Sequence, residues 1–431
     1  MLYDNLAINE NGHLTFAGRD TVELADKYGT PLFVMDEERI RDKCRLYKNT
    51  LRENLGDAAL PLFAGKALCF KGLYGIMNEK GMGIDVVSSG EIFTAFSAGF
   101  PMEKAFFHGN NKTDEDISFA MEKGVGYFIC DGVEELDAID CEAKRRGTKQ
   151  KILLRVTPGI DAHTHAKITT GNEDSKFGTS VSSGQALRLA EAALKKENII
   201  LEGFHCHIGS QIFDAAPFVE AVKVMVGFMG NVKEALGFET IMLDLGGGIG
   251  VRYTENDPQI DTAAVLTLIS NAIKEECKTN ALTVPFVLVE PGRSIVADSG
   301  ITLYKVGTRK EIPGVRNYVS IDGGMPDNPR YTLYGSAYTV LNAGRMTESA
   351  DYICTVAGRC CESGDLIQEN VAIAKPERND VLAVLTTGAY NYSMASNYNA
   401  ITKPPIVMIS KEKEYVAVRR ETFEDMICCQ N

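Results

Sequence analysis

The decapeptide Ile241-Met-Leu-Asp-Leu-Gly-Gly-Gly-Ile-Gly250 passes from an apolar run straight into a cluster of glycines. An apolar run of this length, with little polar alternation, suits a parallel strand covered on both faces. Seven more such runs lie between about residue 60 and residue 293: Leu62–Lys66, Ile84–Ser88, Ala105–Asn110, Tyr127–Asp131, Ile152–Thr157, Leu201–Gly209 and Pro285–Glu290, with Ile241–Gly246 among them in chain order. Helical patterns separate them. Thr113–Gly124 opens on Thr and three acidic residues, and Val133–Gly147 ends on Lys144, Arg145, Arg146 and Gly147. Both are favourable helix termini. Pro217–Gly237 places Val219, Val222, Met225, Val226, Met229, Val232 and Leu236 on one face, a stripe that reads as core packing. Eight strand–helix units predict an α/β fold, a TIM-like (β/α)8 barrel, with an open doubly wound sheet as the rival.

After Arg293 the pattern changes. Ile301–Val306, Tyr318–Ile321, Tyr352–Val356, Val381–Thr386, Val407–Ser410 and the alternating Glu414–Arg419 read as strands joined by turns. The expected organisation is a barrel over 36–293 and a β-rich domain formed by 1–35 with 294–431, since the early strand-like Pro31–Met35 suits that sheet.

The 431 residues carry 45% hydrophobic and 24% charged side chains, the balance of a globular protein with a large core. No apolar run reaches the roughly 18 residues a membrane span needs. The opening MLYDNLAINENGHL has no basic or apolar leader region. The 11 cysteines are odd in number and scattered, with adjacent pairs at Cys360–Cys361 and Cys428–Cys429, which fits a reducing compartment and a cytoplasmic protein. A net charge of −13 disfavours nucleic acid and anionic membranes as partners.

Barrel enzymes build their sites where the strands end. The polar residues here fall at those ends: Lys66, Asp85, Ser88, Asn110, Arg155, His207, Ser210, Gly246–Gly248, Glu290 and Arg293. A lysine leaving an apolar strand is partly desolvated, which frees its amine as a nucleophile; by itself it also reads as a snorkelling lysine. The glycines of Asp244–Gly250 allow close backbone approach to a phosphate. A dinucleotide fingerprint fails on spacing, because Val251 stands where its third glycine belongs, and no Walker lysine follows. One compact phosphate is the better ligand. His205 and His207, two apart, could share a strand face as metal ligands. No third ligand is obvious, so no metal is expected, and a flat imidazole beside a phosphate loop can also stack on a ring. His163 and His165 read as loop residues. Glu290 could hold a pyridine nitrogen protonated, and Arg293 could hold a carboxylate or phosphate, though a plain Glu–Arg pair is also possible.

Taken together these features describe a pyridoxal-phosphate site. The motifs are Phe63-Ala-Gly-Lys66-Ala, Asp85-Val-Val-Ser-Ser-Gly-Glu91, His108-Gly-Asn-Asn-Lys112, Asp161-Ala-His-Thr-His165, Ser175-Lys-Phe-Gly178, His205-Cys-His-Ile-Gly-Ser-Gln211, Gly246–Gly248, Glu290-Pro-Gly-Arg293, Asp322-Gly-Gly-Met-Pro-Asp-Asn-Pro-Arg330, Cys361-Glu-Ser-Gly-Asp365 and Gly388-Ala-Tyr390. With them the chain resembles the alanine-racemase-like (fold type III) pyridoxal-phosphate enzymes, and within that class the diaminopimelate decarboxylases, from Pro31 to about Met408.

The resemblance implies decarboxylation of meso-2,6-diaminopimelate to L-lysine and CO2, the last step of lysine biosynthesis. It implies that Lys66 carries pyridoxal 5'-phosphate as a Schiff base and that His207 lies against the ring. Ser210, Gly246, Gly247, Gly248 and the turn Glu290, Pro291, Gly292, Arg293 would hold the cofactor, with Tyr390 packed beside it. Arg293, Arg330, Tyr334, Glu362 and Tyr390 would contact the amino-acid substrate, and Cys361 or Lys66 would protonate the α-carbon. The resemblance also implies a homodimer with shared active sites, in which Cys361 and Glu362 reach into the partner. The chain departs from the family pattern at Leu68, Cys69, Pro326, Tyr331, Thr332 and Asn391. A same-class decarboxylase of another basic or D-amino acid is the alternative. A racemase is disfavoured because Cys361 occupies the face where it would need a second acid/base, commonly a tyrosine. A catalytically silent regulator is disfavoured by intact Lys66, Glu290 and Cys361.

Overall fold

The computed structural model describes residues 1–160 and 175–431, in two compact units. Asp161–His165, with both of its histidines, lies outside the described residues. One unit comprises Asp42–Gly250 and Gln259–Gly292; the other comprises Met1–Arg41, Val251–Pro258 and Arg293–Asn431.

In the first unit the eight apolar runs are eight parallel strands: β1 (Ala59–Ala64), β2 (Gly83–Val86), β3 (Ala105–Phe107), β4 (Tyr127–Cys130), β5 (Gln150–Thr157), β6 (Ile199–His205), β7 (Met242–Asp244) and β8 (Phe286–Val289). Each pairs with its successor, and β8 returns to β1 through Val287↔Ala59, Leu288↔Leu60 and Val289↔Pro61, which closes the barrel. Closure removes both sheet edges. Leu62, Phe106, Ile129, Leu153 and Leu288, all nearly fully buried, form one interior cluster. Burial of side chains of this size is worth roughly 1.5–3 kcal/mol each.

The helices follow the sequence signals. Thr113 forms a reciprocal capping box with Asp116 at the head of Asp114–Glu122, satisfying two otherwise orphaned N–H groups. Gly147 ends Val133–Arg146 at φ 66°, and Gly237 ends Ala216–Leu236 at φ 67°. On the latter helix Val222, Met225, Val226, Met229 and Val232 are buried as the stripe predicts, while Val219 and Leu236 are half-buried at its ends.

In the second unit a mixed sheet runs in the order Leu366–Ile373, Tyr352–Ala357, Arg316–Ile321, Gly300–Ile312, Leu32–Asp36, Ile406–Ile409, Glu414–Val418. Val381–Val384 bridges Gly300–Ile312 and Val340–Asn342. Leu32–Asp36 lies within the sheet, antiparallel to Gly300–Leu303 and parallel to Ile406–Ile409. Its Leu32 and Val34 join Leu6, Leu14, Phe16, Leu24, Ile301, Leu303, Val381, Val407 and Ile409 in one buried core. Among the described residues no helix is long and apolar enough to cross a membrane, and the cysteines are free thiols.

Candidate active site

In the barrel unit β1 stops at Ala64, and a single 3-10 turn, Gly65–Ala67, carries half-buried Lys66. The turn is tightly enclosed. A Cβ on Gly65 would stand 2.5 Å from the Tyr74 hydroxyl and 3.1 Å from Glu91 Oε2. Glu91 Oε2 accepts the Val87 N–H at 2.9 Å. Burial pushes the Glu91 carboxyl up to about 7 against that hydrogen bond. Leu68 is 1% exposed and Cys69 Sγ lies 3.6 Å from the Tyr74 hydroxyl, so both departures from the family pattern are packing residues of this turn.

The strand ends converge on Glu290. Its Oε1 lies 2.9 Å from His108 Nε2 and 3.4 Å from His205 Nε2, yet neither pair aligns as a hydrogen bond, and all three atoms lack such a partner. Burial lowers the His205 imidazole to about 4, against the pull of Glu290, which leaves it neutral at pH 7. Burial favours protonated Glu290, but the His108 imidazole beside it leads an opposing pull that draws the carboxyl well below its ordinary range. Burial raises Asp85, which His108 partly offsets, and burial with the nearby Glu290 carboxylate raises Asp244 well above its ordinary range. Arg155, also buried, stacks on Phe177 at 4.3 Å.

The expectation that His205 and His207 share a face is not met. β6 ends at His205, whose side chain turns in toward His108 and Glu290. His207, beyond the strand, turns to the glycine loop, where its Nδ1 accepts the Gly247 N–H at 3.2 Å. That bond places the neutral ring's proton on Nε2. Burial, reinforced by Lys66, holds His207 well below its usual range.

The glycines are sterically required. Gly246 has φ 68°, and a Cβ there would lie 2.7 Å from both the Cys206 carbonyl oxygen and His207 Nδ1. A Cβ on Gly247 would lie 2.1 Å from the Glu290 carbonyl oxygen. The Glu290 N–H donates to the Gly246 carbonyl at 2.8 Å, and the Ala64 N–H to the Pro291 carbonyl at 3.1 Å. A Cβ on Gly292 would lie 2.9 Å from that of Ala64. Backbone contacts thus join the Lys66 turn, the glycine loop and the Glu290-Pro-Gly turn. Ser210 is half-buried one residue after Gly209. Ser88 serves the helix Ser89–Ser97 instead, its hydroxyl capping the first turn. Asn110 is exposed.

The β-rich unit holds a second cluster. Arg293 and Arg330 are each 7% exposed. Arg293 lies over the Tyr390 ring at 4.7 Å and donates to the Tyr253 hydroxyl at 2.7 Å. Arg330 lies over Tyr390 at 5.2 Å and over Tyr334 at 4.8 Å. Tyr390 has φ 60°, and fully buried Asn391 anchors its loop through the Thr387 carbonyl and the Tyr338 hydroxyl. The Arg330 Nε has no hydrogen-bond partner, and no carboxylate lies within ion-pair distance of Arg330 among the described residues. Cys361 and Glu362 are exposed on a turn of this unit.

Sequence reasoning missed His108 and Asp244 as site residues, although both stand in motifs it singled out. Their strand-end positions were the available signal.

The family model for the pyridoxal-binding domain of pyridoxal-dependent decarboxylases matches residues 37–297. A curated diaminopimelate decarboxylase of Bacillus methanolicus is 44% identical over 98% of this chain and 98% of its own length. The solved diaminopimelate decarboxylase of M. jannaschii in co-complex with L-lysine superposes at TM-score 0.92 with 36% identity, covering 99% of this chain and 98% of that one. That of Helicobacter pylori, complexed with L-lysine, gives TM-score 0.87 and 31% identity, covering 95% and 99%.

The described residues fit pyridoxal phosphate. The glycine loop has no room for side chains, and the buried Glu290 Oε1 lacks an aligned donor, such as a pyridinium N–H would supply. The chain belongs to the diaminopimelate decarboxylase family of pyridoxal-dependent decarboxylases.

Proposed function

We infer that this protein decarboxylates meso-2,6-diaminopimelate to L-lysine and CO2, the last step of lysine biosynthesis. The observation that carries the substrate is Arg330: a buried guanidinium without a carboxylate partner among the described residues is built for an anionic ligand group. Diaminopimelate has a distal carboxylate to offer it; lysine, ornithine and arginine do not.

In this reading the barrel over 36–293 binds the cofactor, and 1–35 with 294–431 contribute substrate and dimer contacts. Gly246, Gly247 and Gly248 give the phosphate a backbone free of side chains, the Gly246 and Gly247 N–H groups being donated to Asp244 and His207, with Ser210 and the turn Glu290, Pro291, Gly292, Arg293 completing its cradle. Bound pyridoxal phosphate supplies an electron sink for the pair left when the α-carboxylate departs. Lys66 would hold the cofactor covalently through its amine. Glu290 would meet the ring nitrogen and favour its protonated form. His207, fixed by Gly247, would offer a flat face to the ring, and Tyr390 would pack beside the cofactor. Arg293, Arg330, Tyr334, Glu362 and Tyr390 orient the substrate, and Cys361 or Lys66 returns a proton to the α-carbon. Exposure of Cys361 and Glu362 in the single chain favours their use in a partner's site, hence a homodimer with shared sites. The free thiols and acidic charge favour a cytoplasmic protein without nucleic-acid partners.

The test is CO2 release from meso-diaminopimelate, with lysine, ornithine and arginine in parallel and pyridoxal phosphate supplied. Release from diaminopimelate alone, with lysine formed, is expected. Release from another of these amino acids alone would refute the substrate.

A further inference from the structure

Within the β-rich unit one buried carboxylate stands outside the cofactor and substrate contacts. Asp365 is 2% exposed, and no cation lies within ion-pair distance of it among the described residues. Its two oxygens accept backbone N–H groups from different loops: Oδ1 from Met325 at 2.6 Å and Oδ2 from Cys360 at 2.7 Å. Its own carbonyl accepts the Gly358 N–H at 2.8 Å, and its N–H donates to the Glu362 carbonyl at 3.1 Å. The fit allows no extra atom. A Cβ on Gly324 would lie 2.5 Å from Oδ1, and one on Gly358 would lie 2.2 Å from Oδ2.

The two loops are the ones that carry the proposed substrate contacts. The first is Asp322–Pro329, closed by Asp327 and Asn328 N–H groups donating to the Gly324 carbonyl and by the Gly324 N–H donating to Asp327 Oδ1. It delivers Arg330 at the head of the short helix Arg330–Tyr334. The second is the turn Gly358–Gly364, which bears Cys361 and Glu362. The residues that depart from the family pattern add one tie between the same parts and two from the Arg330 segment to its other neighbours. The Thr332 hydroxyl donates to the Gly364 carbonyl at 2.9 Å, the Tyr331 hydroxyl to Glu369 at 2.5 Å, and the Pro326 carbonyl accepts the Ser396 N–H at 2.8 Å.

We propose that Asp365 is a positioning residue, a single carboxylate that holds the Arg330 loop and the Cys361–Glu362 turn in one register for substrate recognition. The proposal rests on the reading of Arg330 and Glu362 as substrate contacts. A carboxylate is needed because each of its oxygens accepts an N–H from a different loop. An asparagine presents an acceptor to one donor and an NH2 group to the other, so one loop is released. Displacement of a binding group by about 1 Å can cost on the order of a hundredfold in turnover efficiency.

The experiment is steady-state kinetics of cofactor-saturated holoenzyme. D365N should raise KM for meso-diaminopimelate roughly ten- to a hundredfold, while cofactor affinity stays within about twofold. In an R330Q/E362Q background, which lacks both residues that Asp365 holds, the same substitution should change KM by less than about twofold. An equal rise in both backgrounds, or no rise in the parent, overturns the proposal. If D365N does not fold, G358A displaces the carboxylate from Cys360 and is held to the same two comparisons. If R330Q/E362Q alone leaves KM unchanged, the reading of the substrate contacts fails, whatever D365N does.

Discussion

Gly247→Ala tests the glycine loop where it is tightest. The added methyl would start 2.1 Å from the Glu290 carbonyl oxygen and 3.0 Å from its carbon. An unstrained carbon–oxygen contact needs about 1 Å more, and both obstacles are backbone, so no rotamer relieves them. The loop and the Glu290 turn must separate, although the Glu290 N–H to Gly246 carbonyl bond ties them. Overpacking of this kind costs about 1–3 kcal/mol of stability. The same displacement moves the loop backbone, with the Gly248 N–H, from the phosphate position. A lost hydrogen bond to a charged group is worth about 1.5–3 kcal/mol, so pyridoxal phosphate should bind roughly 10- to 150-fold more weakly. The assay is spectrophotometric titration of cofactor-free protein with pyridoxal phosphate, beside an unfolding curve. Gly227→Ala is the control: it sits on helix Ala216–Leu236 with nothing within 4 Å of its added Cβ, and should gain about 0.5–1 kcal/mol. Unchanged cofactor affinity in a folded Gly247→Ala protein would refute the cradle.

Lys66→Ala should abolish CO2 release and the near-visible absorption of the bound cofactor; a fully active variant would sink the scheme. Mixing inactive Lys66→Ala and Cys361→Ala chains should restore partial activity, and no recovery despite proven subunit exchange would exclude shared sites. Glu91→Gln addresses pH. With its folded value raised from 4.5 to about 7 by burial, Glu91 adds stability below the unfolded value that is lost as pH rises through 7. The wild type should therefore lose about 2–3 kcal/mol between pH 5 and 8 from this group, and the variant should not. Equal pH slopes in denaturant titrations would contradict the raised value.

The barrel was legible because parallel strands buried on both faces read as unbroken apolar runs, and every run but Tyr127–Asp131 ended near a residue of the candidate site. Lys66, His207, Gly246–Gly248 and Glu290 needed only that register. The His108–His205–Glu290 cluster did not follow from it, since β3, β6 and β8 are joined through strands distant in sequence. His205 and His207 were separable only once β6 was seen to stop at His205. In the β-rich unit, Leu366–Ile373 escaped notice because its polar Gln368-Glu-Asn370 breaks the pattern and Asn370 has φ 54°. Leu6–Ile8 and Leu14–Phe16 have three residues each, too few to show a period. Asp365 closes the Cys361-Glu-Ser-Gly-Asp motif, but that its carboxylate joins two loops is a tertiary fact, invisible in the spacing.

The interior place of Leu32–Asp36 has a consequence for biosynthesis. Its partner Gly300–Ile312 is encoded far downstream, and Ile406–Ile409 further still. At ordinary ribosomal speeds, roughly 20–75 s separate the emergence of this strand from that of its last neighbour. Until Gly300 emerges, a strand apolar except for its final Asp36 hangs from the ribosome with two unpaired edges, and one edge stays open until Ile406, while the barrel's own residues are all translated before Arg293. The nascent chain is thus a natural client for a holdase chaperone at its first forty residues, and a fragment ending near Gly292 should aggregate through them.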